Sequence, residues 1–186
     1  WNTVVIGKDT KVTGQGQMIL IGTQTSVASG TSKQYSVGIG HGATFTTASG
    51  YNSVAIGKNS TVASINSIAL GLSSSVSGSS SVAIGNTANS SGAKGVAIGI
   101  NSKVIGEGGV AIGEDASANE DGVAVGVRTL AHTNSVTIGV QADASQNTNA
   151  VAVGVNAEVH GTSGVAIGNE SEVTALSGVA VGPWSS

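Results

Sequence analysis

What most constrains this chain is a pentapeptide that returns about every fourteen residues. Residues 52–60 read NSVAIGKNS, and the central SVAIG comes back as SIALG at 67–71, SVAIG at 81–85 and SVTIG at 135–139, and as GVAIG at 95–99, 109–113 and 164–168. The glycines that close these cores and their weaker copies are Gly7, Gly22, Gly40, Gly57, Gly71, Gly85, Gly99, Gly113, Gly126, Gly139, Gly154, Gly168 and Gly182. Successive members lie 13 to 18 residues apart, most often 14. A repeat of this length is one supersecondary unit that buries its apolar side only by stacking on its neighbours. The repeat runs from end to end, so residues 1–186 read as one domain of about thirteen coils, with longer, irregular coils at 23–57.

Numbered from its glycine, each unit alternates with period two, the mark of a strand. Position −1 is Ile, Val or Leu in every unit, and position −3 is Val or Ile in every unit. These share one strand face, while −4 and −2 take the other. Position −2 is Ala in nine units, and −4 is Ser or Gly in ten. After the glycine a weaker strand is marked by Val, Phe or Ala at +5, with Ser90 as the exception. A glycine or polar residue then turns the chain near +7, as at Gly14, Gly78, Gly92, Gly106 and Gly161. The prediction is an all-β parallel solenoid of two-strand coils stacked about 4.8 Å apart. Its interior is expected to hold the −3 and −1 aliphatics against the +3 and +5 side chains.

That assignment leaves the small-residue face outside. Strips of Ala, Ser and Gly let backbones approach closely, so other copies of the chain are expected to cover this one. The residues placed on that contact are Ala55, Ala69, Ala83, Ala97, Ala111, Ala124, Ala152, Ala166 and Ala180.

Composition removes several classes. The many β-branched apolar residues exclude a disordered chain. Glycine supplies 29 residues but not every third position, which excludes collagen. There is no cysteine, hence no disulfide framework or thiolate metal site. No apolar run approaches the roughly 20 residues of a spanning helix, and no signal peptide appears, so this segment is not expected to insert in a membrane. A chain that opens at Trp1 without a methionine reads as part of something longer. Charge is uneven: residues 1–106 carry six lysines against Asp9, and residues 107–186 carry Arg128 against nine acids. The lysines are not clustered with aromatics, so nucleic acid is not an expected partner.

Catalysis finds little to work with. The nearest approach to a carboxylate cluster is Glu114, Asp115, Glu120 and Asp121, all within one coil and its turns. His132 and His160 occupy equivalent turns two coils apart, about 10 Å, too far to share a metal. An ice-binding TxT ladder begins at TFTT (44–47) and stops in the neighbouring coils. The expectation is a protein without enzymatic activity, cofactor or metal.

Residues Asn52–Ser60 resemble the head repeat NSVAIGxxS of the YadA-like trimeric autotransporter adhesins and match it at every specified position. NSIALGLSS at 66–74 and NSVTIGVQA at 134–142 are weaker matches. The resemblance implies a left-handed parallel β-roll assembled as a homotrimer at the surface of a Gram-negative bacterium. It also implies an outer-membrane anchor, a C-terminal barrel that this segment does not contain. Such heads bind host matrix proteins (collagen, fibronectin or laminin), host cells or each other. A spacer that holds a distal binding domain away from the cell is the alternative role.

Ligand contacts are expected at the turns. Lys58, Asn59 and Ser60 end the motif, while Lys33, Tyr35 and Tyr51 lie in the two lengthened coils, where the tyrosines would form an exposed pair beside cations.

Overall fold

Gly57 has a φ of 133° and Gly113 a φ of 137°, each where a coil leaves its first strand. Residues bearing a Cβ rarely adopt that conformation. Space forbids one as well. A Cβ on Gly57 would run into the carbonyl of Gly71 in the next coil, and one on Gly113 into the carbonyl of Gly126. Two separate requirements, a corner and the tight stacking of corners, therefore hold the glycine in each repeat.

The computed structural model describes residues 2–13, 16–27, 35–46 and 52–186. The fold is an all-β parallel solenoid, each coil giving a longer strand before the glycine and a shorter one after it. The chain divides into two compact units, 1–94 and 95–186. In the first, the longer strands Thr3–Ile6, Met18–Ile21, Ser36–Ile39, Val54–Ile56, Ile68–Leu70 and Val82–Ile84 pair in that order. The shorter strands, from Lys11–Val12 to Asn89–Ser90, build a second sheet in the same way. Register is direct: Val54, Ala55 and Ile56 lie opposite Ile68, Ala69 and Leu70, which lie opposite Val82, Ala83 and Ile84. The second unit repeats the plan, with Val96, Ala97 and Ile98 opposite Val110, Ala111 and Ile112.

Coil-to-coil hydrogen bonding continues through the corners. The Gly71 N–H donates to the Ile56 carbonyl at 2.8 Å, and the Ser73 N–H to the Lys58 carbonyl at 2.8 Å. Backbone groups that a turn would strand are thus paired by the coil beside it.

The two faces of the longer strands are the reverse of the sequence expectation. Ala55, Ala69, Ala83, Ala97, Ala111, Ala124, Ala152 and Ala166 have no exposed surface in a single chain, and Ala180 has 4 %. They pack inside their own coil with Val62, Val76, Val104 and Val159 of the shorter strands. The branched aliphatics at −3 and −1 point outward and keep substantial surface: 39 % at Ile68, 38 % at Ile112 and 42 % at Ile138. The nine alanines therefore cannot form the contact between copies. The reason is the thinness of the coil. Strands of three or four residues and of two, joined by tight corners, leave room in most coils for one layer of Val against Ala, Ser or Gly, and not for two layers of branched side chains.

Each letter of the motif acquires a role from this geometry. Asn52 and Asn59 take φ values of 52° and 56°, which asparagine tolerates better than most residues. The buried Ser60 hydroxyl donates to the Gly57 carbonyl at 3.2 Å, as Ser74 does to Gly71 and Ser102 to Gly99. Ser67 donates to the carbonyls of Ile65 and Gly78, and Ser81 to those of Ser79 and Gly92. The motif's serines are clamps on the two turns. A buried hydroxyl is tolerated there because it is paired.

Candidate functional site: the outward faces of the coils

With the interior filled by small residues, anything this molecule recognises meets one of its outer faces. The outer face of the longer-strand sheet is apolar. In the second unit it carries Val96, Ile98 and their counterparts in each coil, widened at +1 by Ile100, Val127, Val140 and Val155. Those four are exposed from 37 % at Val127 to 49 % at Ile100. Parallel sheets are almost always covered on both faces, and contiguous apolar surface of this kind marks an interaction site.

The outer face of the shorter-strand sheet is polar and differs between the units. In the first, the +4 column reads Lys11, Ser26, Thr44, Thr61, Ser75 and Asn89 in register. In the second it reads Lys103, Ser117, Leu130, Asp143, Glu158 and Glu172. Glu158 and Glu172 are direct neighbours of like charge. His160 stands between them, its Nε2 3.2 Å from Glu158 Oε2 and 3.7 Å from Glu172 Oε1. Among the described residues no three His, Asp or Glu side chains converge as metal ligands.

The structure separates the expected ligand residues. Lys58 and Asn59 are exposed at the corner after the glycine, with the Asn59 N–H donating to the His41 carbonyl at 2.8 Å. Ser60 is fully buried and tied to Gly57, so it touches no ligand. Tyr35 is 60 % exposed at the opposite corner of its coil, preceding the strand Ser36–Ile39. It borders an open hollow of about 350 Å³ lined by Asn2, Val4, Gln17, Met18, Ile19, Ser36 and Val37. Lys33 and Tyr51 lie outside the described residues, and with them the tyrosine pair. Sequence reading passed over the apolar stripe at −3, −1 and +1. The missing signal was the tolerance at +1, which accepts Lys, His, Leu, Ile, Glu or Val, as only an outer position can.

A repetitive β-solenoid with one apolar and one polar outer face offers long, repeated surfaces for contact with other molecules. The family comparison agrees. The YadA head domain repeat matches residues 48–74, 77–102, 105–129, 133–157, 146–171 and 160–185, and the chain belongs to that family. The crystal structure of the collagen-binding domain of the Yersinia adhesin YadA is similar, with a TM-score of 0.58 and 31 % identity over 68 % of this chain and 67 % of that one. No curated protein matches the chain. The chain is an adhesin head of a non-enzymatic family whose members are exposed at bacterial surfaces.

Proposed function

We propose that residues 1–186 act as one adhesive head, three copies of which join through their aliphatic faces and bind collagen through the polar corners that remain outside. The observation that carries the ligand is the 31 % identity to a collagen-binding domain across two thirds of both chains. Fibronectin, laminin and host cell surfaces are further ligands of the same class. Three copies is the number implied by the family resemblance. A closed ring also suits the surface, since a cyclic trimer covers one strip of each apolar face with a different strip of the next copy. Anchoring in the outer membrane through a C-terminal barrel belongs to the same reading.

Corner residues such as Tyr35, Lys58 and Asn59 each offer a shallow contact. Repetition along the coils and around the ring converts weak single contacts into useful avidity. The test pairs sedimentation equilibrium with solid-phase binding to collagen, fibronectin and laminin. The expected result is a particle of three times 17.9 kDa that binds collagen, with binding lost in an Ile98→Asp, Ile112→Asp variant that sediments as a single chain. A trimer that binds none of the three proteins would mark the segment as a spacer.

A further inference from the structure

Arg128 is the chain's one arginine, and it is exposed at the corner that follows Gly126. Asp121 is exposed at the corner that opens the same coil, with Glu120 just before it. Between them run Val123, Val125 and Val127, this coil's share of the aliphatic face. Cation and carboxylate therefore flank one apolar strip. An extended strand rises about 3.3 Å per residue, which holds them roughly 20 Å apart, too far to pair within one chain.

Both charges are left over by their own chain. Neither the Arg128 guanidinium nor the Asp121 carboxylate has a hydrogen-bond or ion-pair partner among the described residues. Their backbones are nonetheless fixed: the Asp121 N–H donates to the Glu107 carbonyl at 2.8 Å, and the Arg128 N–H to the Glu114 carbonyl at 2.8 Å. The same two positions hold Asn134 and Gln141 in the next coil, Asn149 and Asn156 in the one after, and at most one charge in every other described coil. Opposite charges thus bracket the aliphatic face at a single level of the stack.

We propose that Arg128 of one copy pairs with Asp121 of the next, at the edge of the aliphatic contact. The inference rests on the reading that copies join through that face. Rotation about an axis along the stack sets the second corner of one copy beside the first corner of its neighbour, at equal height. Arg128 then meets Asp121, with Glu120 beside it. A slip of one coil sets Asp121 against Asp115, like charge on like, or against the neutral Gln141. Apolar strips that repeat in every coil distinguish poorly between these alignments, whereas complementary charges at one level fix the register. The pair sits at an exposed rim, so it contributes more to alignment than to strength.

The chain has no cysteine, so introduced pairs report proximity without background. Asn134→Cys with Gln141→Cys marks equal heights one coil from the charge pair and leaves that pair intact. Oxidation should join these chains covalently. A disulfide needs Cα atoms within about 7 Å, which the two corners of one chain do not approach. Asn149→Cys with Gln141→Cys, and Asn134→Cys with Asn156→Cys, are offset by one coil in opposite directions and should stay unlinked. Arg128→Glu should weaken assembly by about tenfold, the joint effect of three exposed pairs, and should let the offset cysteines link. Asp121→Lys in the same chain should restore both assembly and register. The corners accept these substitutions, since Glu170 and Lys94 hold the equivalent positions at φ values of 53° and 58°. A trimer that links equally through an offset pair, or that ignores Arg128→Glu, would overturn the charge pairing and leave the aliphatic contact standing. A head that sediments as a single chain would overturn both.

Discussion

Leu20 and Gly38 face each other across neighbouring strands, in register, and the leucine occupies the room that the glycine leaves. A Cβ on Gly38 would sit 2.9 Å from Leu20 Cδ2 and 3.1 Å from Phe45 Cε2. Here alone among the described coils the inner positions −4 and −2 carry Met18 and Leu20, both buried. Volume gained at one coil is given up at the next. Gly38→Ala should lower stability by about 1–3 kcal/mol through overpacking. Leu20→Ala in the same chain should recover much of that loss. Chemical denaturation of the four members of this cycle measures the coupling, and equal losses from Gly38→Ala in both backgrounds would mean that the two residues do not compete for space.

Ala97 and Ile98 are adjacent but face opposite ways, and their substitution should have opposite consequences. Ala97→Leu forces three extra carbons into a closed interior, and the loss should appear as reduced β-sheet circular dichroism and a lower melting temperature. Ile98→Asp adds a charge to the outer stripe. It should leave the dichroism of the coil intact while lowering the sedimentation coefficient. A variant pair with the two outcomes exchanged would restore the inside-out arrangement that ranking the two faces by hydrophobicity had favoured.

Ser90 is a misfit in its column. It pairs in register with Val76, is fully buried, and its hydroxyl finds no hydrogen-bond partner. An unpaired buried hydroxyl costs about 1–3 kcal/mol. Ser90→Val removes that group and supplies the side chain present at Val62 and Val76, so unfolding should become harder by about 1–2 kcal/mol. Thermal denaturation decides, and a lowered midpoint would show that the site has no space for the methyl groups.

Thr87 has a φ of 54°, a left-handed conformation that suits a β-branched residue badly. Equivalent corners in other coils carry Asn59, Asn101 and Asn156, with φ of 56°, 54° and 53°. Thr87→Asn should therefore stabilise the coil by about 1 kcal/mol, the scale of the steric cost of this region for an ordinary residue. An unchanged denaturation midpoint would mean that the Thr87 hydroxyl, 2.7 Å from the Asn86 carbonyl, already offsets the strain.

The period of about fourteen, the alternation around each glycine and the weak second run after it determined the parallel two-sheet stack from sequence alone, because they depend only on local spacing. Strand positions, the corner glycines and the register of one coil on the next all follow from that pattern. The direction of each face did not follow. Alternation divides Val54 and Ile56 from Ser53 and Ala55 without saying which pair turns inward, and ranking by hydrophobicity chose the wrong pair. The thickness of the coil decided it: the sheets lie too close for two layers of branched side chains, so most coils set alanine, serine or glycine opposite valine, and the larger Leu20 fits only because Gly38 gives up its side chain. The same closeness buries Ser60 as a clamp on Gly57, and it leaves the aliphatics on the outer face of the coil.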